Sequence, residues 1–167
     1  MLTVIQMHGE PGSGKSTLAR ALGRSLGAVV LDKDVVKSAL LRTDIHEPEA
    51  GAAAYEAYFA LAESVLRQDY SIILDNPVFY PSIEAHGIRI AEDCGAMYIM
   101  VECRCDDSVE LGRRLAARER LESQPVVPGH PQAGFSPKSK RIVVETRRPL
   151  DELVGDVLGR IRRRALL

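Results

Sequence analysis

Near the start of the chain, Gly9-Glu10-Pro11-Gly12-Ser13-Gly14-Lys15-Ser16 fits the pattern G-x-x-x-x-G-K-[ST] without a mismatch. An apolar run from Leu2 to Met7 precedes it, and a helical stretch to about Leu26 follows it. Strand, glycine-rich turn and helix in that order confine the chain to an α/β architecture. Backbone N–H groups converge at the turn, and the positive end of the helix dipole lies behind them. That arrangement suits phosphate oxygens. The spacing predicts that Gly9 to Ser16, with Thr17, holds nucleotide phosphates. Lys15 reaches the β- and γ-phosphates, and the Ser16 hydroxyl sits on Mg²⁺. A glycine turn that binds nothing is the alternative, and the strand–loop–helix setting argues against it.

Beyond this loop, short apolar runs alternate with longer helical segments, the signature of a parallel sheet covered by helices. Ala28 to Leu31 reads as a second, fully buried strand, Asp34 to Arg42 as a short helix, and Thr43 to Gly51 as a loop. Ala52 to Gln68 is a helix, because Tyr55, Tyr58, Phe59, Ala62, Val65 and Leu66 recur at three- and four-residue spacing. Ser71 to Asp75 is a third strand, Pro81 to Cys94 a helix stopped by Gly95, and Met97 to Cys103 a fourth strand. Asp106 to Leu121 is a helix, Arg141 to Glu145 a fifth strand, and Pro149 to Arg164 the closing helix. Between Ser123 and Lys140 lie four prolines and two glycines with little periodicity, which predicts an exposed loop. The expected organisation is one domain over residues 1–167, with a lid at 119–138.

The bulk numbers exclude several classes. A net charge of −1 gives no reason to expect a protein that coats nucleic acid, and the basic end from Arg160 to Arg164 reads as a solvated helix terminus. The three cysteines, Cys94, Cys103 and Cys105, form neither a disulfide framework nor a zinc set, so they read as reduced structural thiols. No leader is visible, and no apolar run approaches the roughly 20 residues that span a bilayer. The expectation is a cytoplasmic protein with no membrane partner.

Two acidic sites fall where a sheet of this kind presents ligands, at the carboxyl ends of its strands. They are Asp32 and Asp34 after the second strand, and Asp75 ending the third. Taken with Gly9 to Ser16 and with Arg114-Leu115-Ala116-Ala117-Arg118, these motifs occur in an order that resembles the small P-loop kinases. That group includes shikimate and gluconate kinases, polynucleotide kinase, chloramphenicol phosphotransferase and the zeta toxins, and the similarity runs along nearly the whole chain. The resemblance implies a P-loop three-layer sandwich, its five parallel strands in the order 2-3-1-4-5. It also implies ATP and Mg²⁺ as cofactors and transfer of the γ-phosphoryl group to a hydroxyl of a small molecule.

The roles it implies are these. Asp34 accepts the proton of the acceptor hydroxyl, with Asp32 supporting it or a magnesium-bound water, and Asp75 binds the metal's water shell. Arg114 and Arg118, four apart on one helical face, cover the transferring phosphate, while Arg113 and Arg120 point elsewhere. Arg148 lies against the adenine. The residues alone also allow plainer readings: Asp32 or Asp34 as a helix cap, Asp75 as a turn residue, and the arginines as a charged face paired with Glu110 and Glu122. The acceptor pocket is expected between the helices at Asp34 to Arg42 and Tyr55 to Gln68, with Lys37, Arg42, Tyr55, Phe79 and Tyr80 as candidates for its wall. Asp75-Asn76-Pro77-Val78 lacks the glycine-rich motif of shikimate kinases, and no Asn-Lys-x-Asp or Asp-x-x-Gly pattern points to a GTPase. A 5′-hydroxyl polynucleotide kinase and a non-catalytic ATP sensor remain the alternatives.

Overall fold

The computed structural model describes residues 1–76, 80–124 and 138–165. In chain order the elements are β1 (Thr3–His8), α1 (Lys15–Leu26), β2 (Val29–Asp32), α2 (Lys33–Leu41), α3 (Glu49–Leu66), β3 (Ile72–Asp75), α4 (Pro81–Asp93), β4 (Met97–Arg104), α5 (Ser108–Ala117), β5 (Arg141–Glu145) and α6 (Leu150–Arg164). The strands form one parallel sheet in the order β2-β3-β1-β4-β5, as expected.

Helices cover both faces, and each face has its own core. On one side Leu18, Leu22, Val157 and Ile161 of α1 and α6 pack onto Ile5, Ile99 and Val144. On the other, Tyr58, Phe59, Leu66 and Ile90 of α3 and α4 pack onto Val4, Ile72 and Met100. The middles of the three central strands are therefore largely apolar, which is what a sheet buried on both faces requires. β2 departs from the expectation of full burial. It is an edge strand whose residues range from exposed to partly exposed.

A buried polar cluster interrupts the second core. Gln6 in mid-β1 receives the Tyr98 hydroxyl at 2.6 Å and donates to the Ile83 carbonyl at 3.3 Å. Asn76, just beyond β3, accepts the Tyr58 hydroxyl at 3.1 Å. Gln6 and Asn76 are both fully buried, so their polar atoms need partners within the protein. Asn76→Ala is expected to cost about 1–3 kcal/mol, because the Tyr58 hydroxyl is left buried without its acceptor. Urea unfolding measures this. Adding Tyr58→Phe should recover part of the loss, since it removes the orphaned group.

Candidate functional site

The glycine-rich turn joins β1 to α1 and is shaped by close approach. Gly9 has φ 133°, and a Cβ there would lie 2.3 Å from the Cys103 carbonyl oxygen. No side chain fits at that position. Gly14, at φ 88°, is the left-handed N-cap of α1, and Lys15 opens the helix. The α1 amino terminus and its loop thus sit at the carboxyl rim of the sheet. Lys15 is partly buried, and its Nζ donates to the carbonyls of Gly9 and Glu10, both at 2.7 Å. Burial lowers its pKa, while the charges of Asp75, Cys103 and Asp34 oppose that shift.

The parallel register sets Asp32 directly beside Asp75 at the ends of β2 and β3. Asp32 is the N-cap of α2: its Oδ1 accepts the Asp34 N–H at 2.8 Å. The capping role that the sequence left open between the two aspartates therefore belongs to Asp32. Burial raises the Asp32 pKa, and the backbone N–H of Asp34 works against that rise. Asp34 stands in the first turn of α2 and pairs with Lys33 Nζ at 2.5 Å. Lys33 is itself buried, with its ammonium 5.7 Å from the centre of the Tyr55 ring.

Asp75 is 5% exposed, and burial pushes its carboxyl up to about 6, against the hydrogen bond with Ser16 and the charge of Lys15. The folded protein therefore keeps a proton that the unfolded chain has released. This contributes stability that is complete below about pH 4 and lost as pH rises through about 6. Asp75→Asn is expected to stabilise the protein at pH 8 by about 2–3 kcal/mol, and by much less at pH 4. Urea unfolding at the two pH values checks the sign.

Across the cavity, α5 ends at Ala117, sooner than its sequence pattern predicts. Arg118 is already extended, at φ −81° and ψ 142°. Arg114 and Arg118 thus do not share a continuous helical face. Arg114 is held by Glu110 at 2.8 Å and donates to the Thr146 hydroxyl and carbonyl at 3.1 and 3.0 Å. Arg118 lies close enough to Lys15 for its charge to lower the lysine pKa. Glu110 also binds Arg113, so the plainer pairing of the arginine face with this acid is present alongside the cavity lining.

Together these groups line a cavity of about 1120 Å³. Lys15, Ser16, Thr17, Asp32, Asp34, Asp75, Arg114 and Arg118, all picked from sequence, meet there. So do Arg113, still within α5, and Arg120, which the extended turn at Arg118 carries into the wall, contrary to the expectation that both point elsewhere. Tyr55, Tyr80 and Lys37 are on its wall. Arg42 is not among the described lining residues, and Phe79 and residues 125–137 of the expected lid lie outside the described residues. Arg148 also falls outside the lining, paired with Glu152 and Asp156 on α6 at 3.4 and 3.5 Å. Sequence reading missed Arg20, one turn beyond Ser16 on α1, and Lys33, whose neighbours Asp32 and Asp34 drew the attention. It also missed Thr146, one residue past β5 at the same rim.

Among the described residues no group of three or more His, Cys, Asp or Glu could hold a metal ion. What the site does offer is the Ser16 hydroxyl bonded to the Asp75 carboxylate, with Asp32 beside them. These are oxygen donors of the kind Mg²⁺ takes when phosphates complete its shell.

A family model described as AAA domain (AAA_33) matches residues 4–130. The chain belongs to this AAA-domain family. An uncharacterised protein of Mycobacterium tuberculosis H37Rv is 32% identical over 123 residues, covering 66% of this chain and 24% of that protein. This chain therefore spans about a quarter of the length of the first curated relatives it matches. The L-seryl-tRNA(Sec) kinase of Methanococcus maripaludis is 21% identical over 170 residues, covering 93% of this chain and 64% of that one.

Among solved structures, the Mycobacterium tuberculosis APS kinase in complex with AMPPNP and APS superposes with a TM-score of 0.70. It is 19% identical and covers 96% of this chain and 98% of its own. A gluconokinase from Sinorhizobium meliloti 1021 gives 0.62 at 17% identity, covering 96% and 92%. At these identities the likeness is one of fold, and the fold is that of P-loop kinases. Among the described residues no helix is long and apolar enough to cross a membrane.

Proposed function

We infer that this protein is an ATP-dependent kinase that transfers the γ-phosphoryl group to a hydroxyl of a small-molecule acceptor. The observation that carries this reading is the meeting, in one cavity, of the phosphate loop with acidic side chains from β2, α2 and β3. A protein that only senses nucleotide has no need of Asp34 opposite the loop.

On this reading the loop N–H groups and the Lys15 ammonium bind the β- and γ-phosphates. Ser16 and Asp75, with Asp32 nearby, hold Mg²⁺, which supplies charge neutralisation on the phosphate oxygens when bound. Arg118, with Arg114 positioned by Glu110, faces the charge that develops on the transferring group. The acceptor oxygen forms a bond to the γ-phosphorus as the bond to the β-phosphate oxygen breaks. ADP leaves, and the hydroxyl proton passes to Asp34. Lys33, paired with Asp34 at 2.5 Å, orients the carboxylate that accepts it. Arg148 is the side chain proposed against the adenine, once released from Glu152 and Asp156.

Calorimetric titration with AMPPNP and Mg²⁺, followed by incubation with γ-labelled ATP and pooled hydroxyl acceptors, tests the reading. Saturable AMPPNP binding and label in an organic product are expected. Tight binding with no label in any pool, and no ATP turnover, would favour a sensor.

A further inference from the structure

We propose that the acceptor is a small hydroxyl compound that also carries an anionic group, and that Arg20 and Lys37 hold that group on the α1–α2 side of the cavity. This rests on the kinase reading of the same cavity. The described lining residues include eight lysines and arginines against four aspartates and glutamates, and from just outside the lining Glu110 pairs with Arg113 and Arg114 and Glu47 with Lys37, which leaves a surplus of two positive charges. The chain as a whole carries −1, so the surplus is a property of the cavity and not of composition. Residues 77–79 and 125–137 contain no Asp, Glu, Lys or Arg, so they do not alter the count.

The three aspartates are already engaged: Asp32 caps α2, Asp75 bonds Ser16, and Asp34 pairs with Lys33.

Position separates the remaining cations from the loop. Arg20 lies one turn beyond Ser16 on α1, close enough to Asp32 for its charge to act on that carboxyl. Lys37 stands three residues after Asp34 on α2 and shares its face. These two side chains therefore flank the aspartates that define the proposed transfer point. The present partner of Lys37 is Glu47, whose side chain is 51% exposed. A solvent-screened pair of this kind exchanges readily with a second anion. The cavity also exceeds the ~300–1000 Å³ typical of a site for one small ligand, which leaves room for an acceptor beside the nucleotide.

The test loads the protein with AMPPNP and Mg²⁺ to saturation, verified for each variant, so that the loop donors are occupied. Sodium phosphate is then titrated in at low and high NaCl. The expected result is phosphate binding that weakens with salt and drops by about fivefold or more in Arg20→Gln and in Lys37→Gln. No phosphate binding, or binding equal in wild type and both variants, would overturn the proposal. Failure of AMPPNP itself to bind is a different outcome, and removes the nucleotide reading together with this one. A second arm supplies γ-labelled ATP with neutral polyols and sugars in one pool, the matching sugar acids and sugar phosphates in another, and 5′-hydroxyl RNA in a third. Label in the acidic small molecules supports the proposal; label confined to the neutral pool or to RNA overturns it.

Discussion

Lys15→Met is expected to keep the fold and to lose phosphoryl transfer by about 10²–10³-fold, the range seen when one preorganised donor is removed from a developing charge. The side chain is partly buried and hydrogen-bonded to two carbonyls of the loop, and methionine has similar length and shape. Packing should therefore survive. What disappears is the positive charge beside Asp75, at the point where the γ-phosphate is proposed to lie. Circular dichroism should match wild type while the rate of label transfer falls. A variant within about threefold of wild type would remove Lys15 from the proposed chemistry, since a general-purpose donor contributes more than that.

Asp34→Asn should cost about 10²–10⁴-fold in transfer, the usual range for loss of a general base, with AMPPNP affinity changed far less. The amide keeps the size of the carboxylate, and Asp32 still caps α2, because that cap uses the backbone N–H of residue 34 and not its side chain. Lys33 loses its ion pair, so the experiment needs a fold check by thermal melting. The decisive comparison is between transfer and binding. Parallel losses in both would make Asp34 a structural partner of Lys33 and not the base.

The phosphate loop and the sheet order were legible because they rest on strong local signals: glycines at fixed offsets and apolar runs bounded by turn residues. β5 was read to the residue, since Arg141 and Glu145 flank the apolar run Ile142-Val143-Val144. Where the reading slipped, the deciding forces were tertiary. β2 is as apolar as a central strand, and nothing in Ala28-Val29-Val30-Leu31 says that it lies at the sheet edge. α3 starts at Glu49, directly after Pro48, although the following glycine and alanines carry little periodicity to mark it. α5 stops at Ala117 without glycine or proline, because Arg118 turns extended into the cavity wall.

The same limit applied to the site. Spacing could bring Asp32, Asp34 and Asp75 to one rim, but only packing shows that Asp32 caps, that Asp34 meets Lys33, and that Glu110 and Thr146 hold Arg114. Arg20 and Lys33 gave no signal of their own, being single basic residues in helical segments. The buried bonds of Gln6 and Asn76 join segments some seventy residues apart, which no local pattern reveals.

The most direct test of the kinase account is the fate of the γ-phosphoryl group over time, measured as the partition of label between organic acceptors and inorganic phosphate in each acceptor pool. The account predicts that one pool diverts label from phosphate to an organic product, and that Asp34→Asn abolishes the diversion. Release of all label as inorganic phosphate, at one rate in every pool and unchanged in Asp34→Asn, would contradict it.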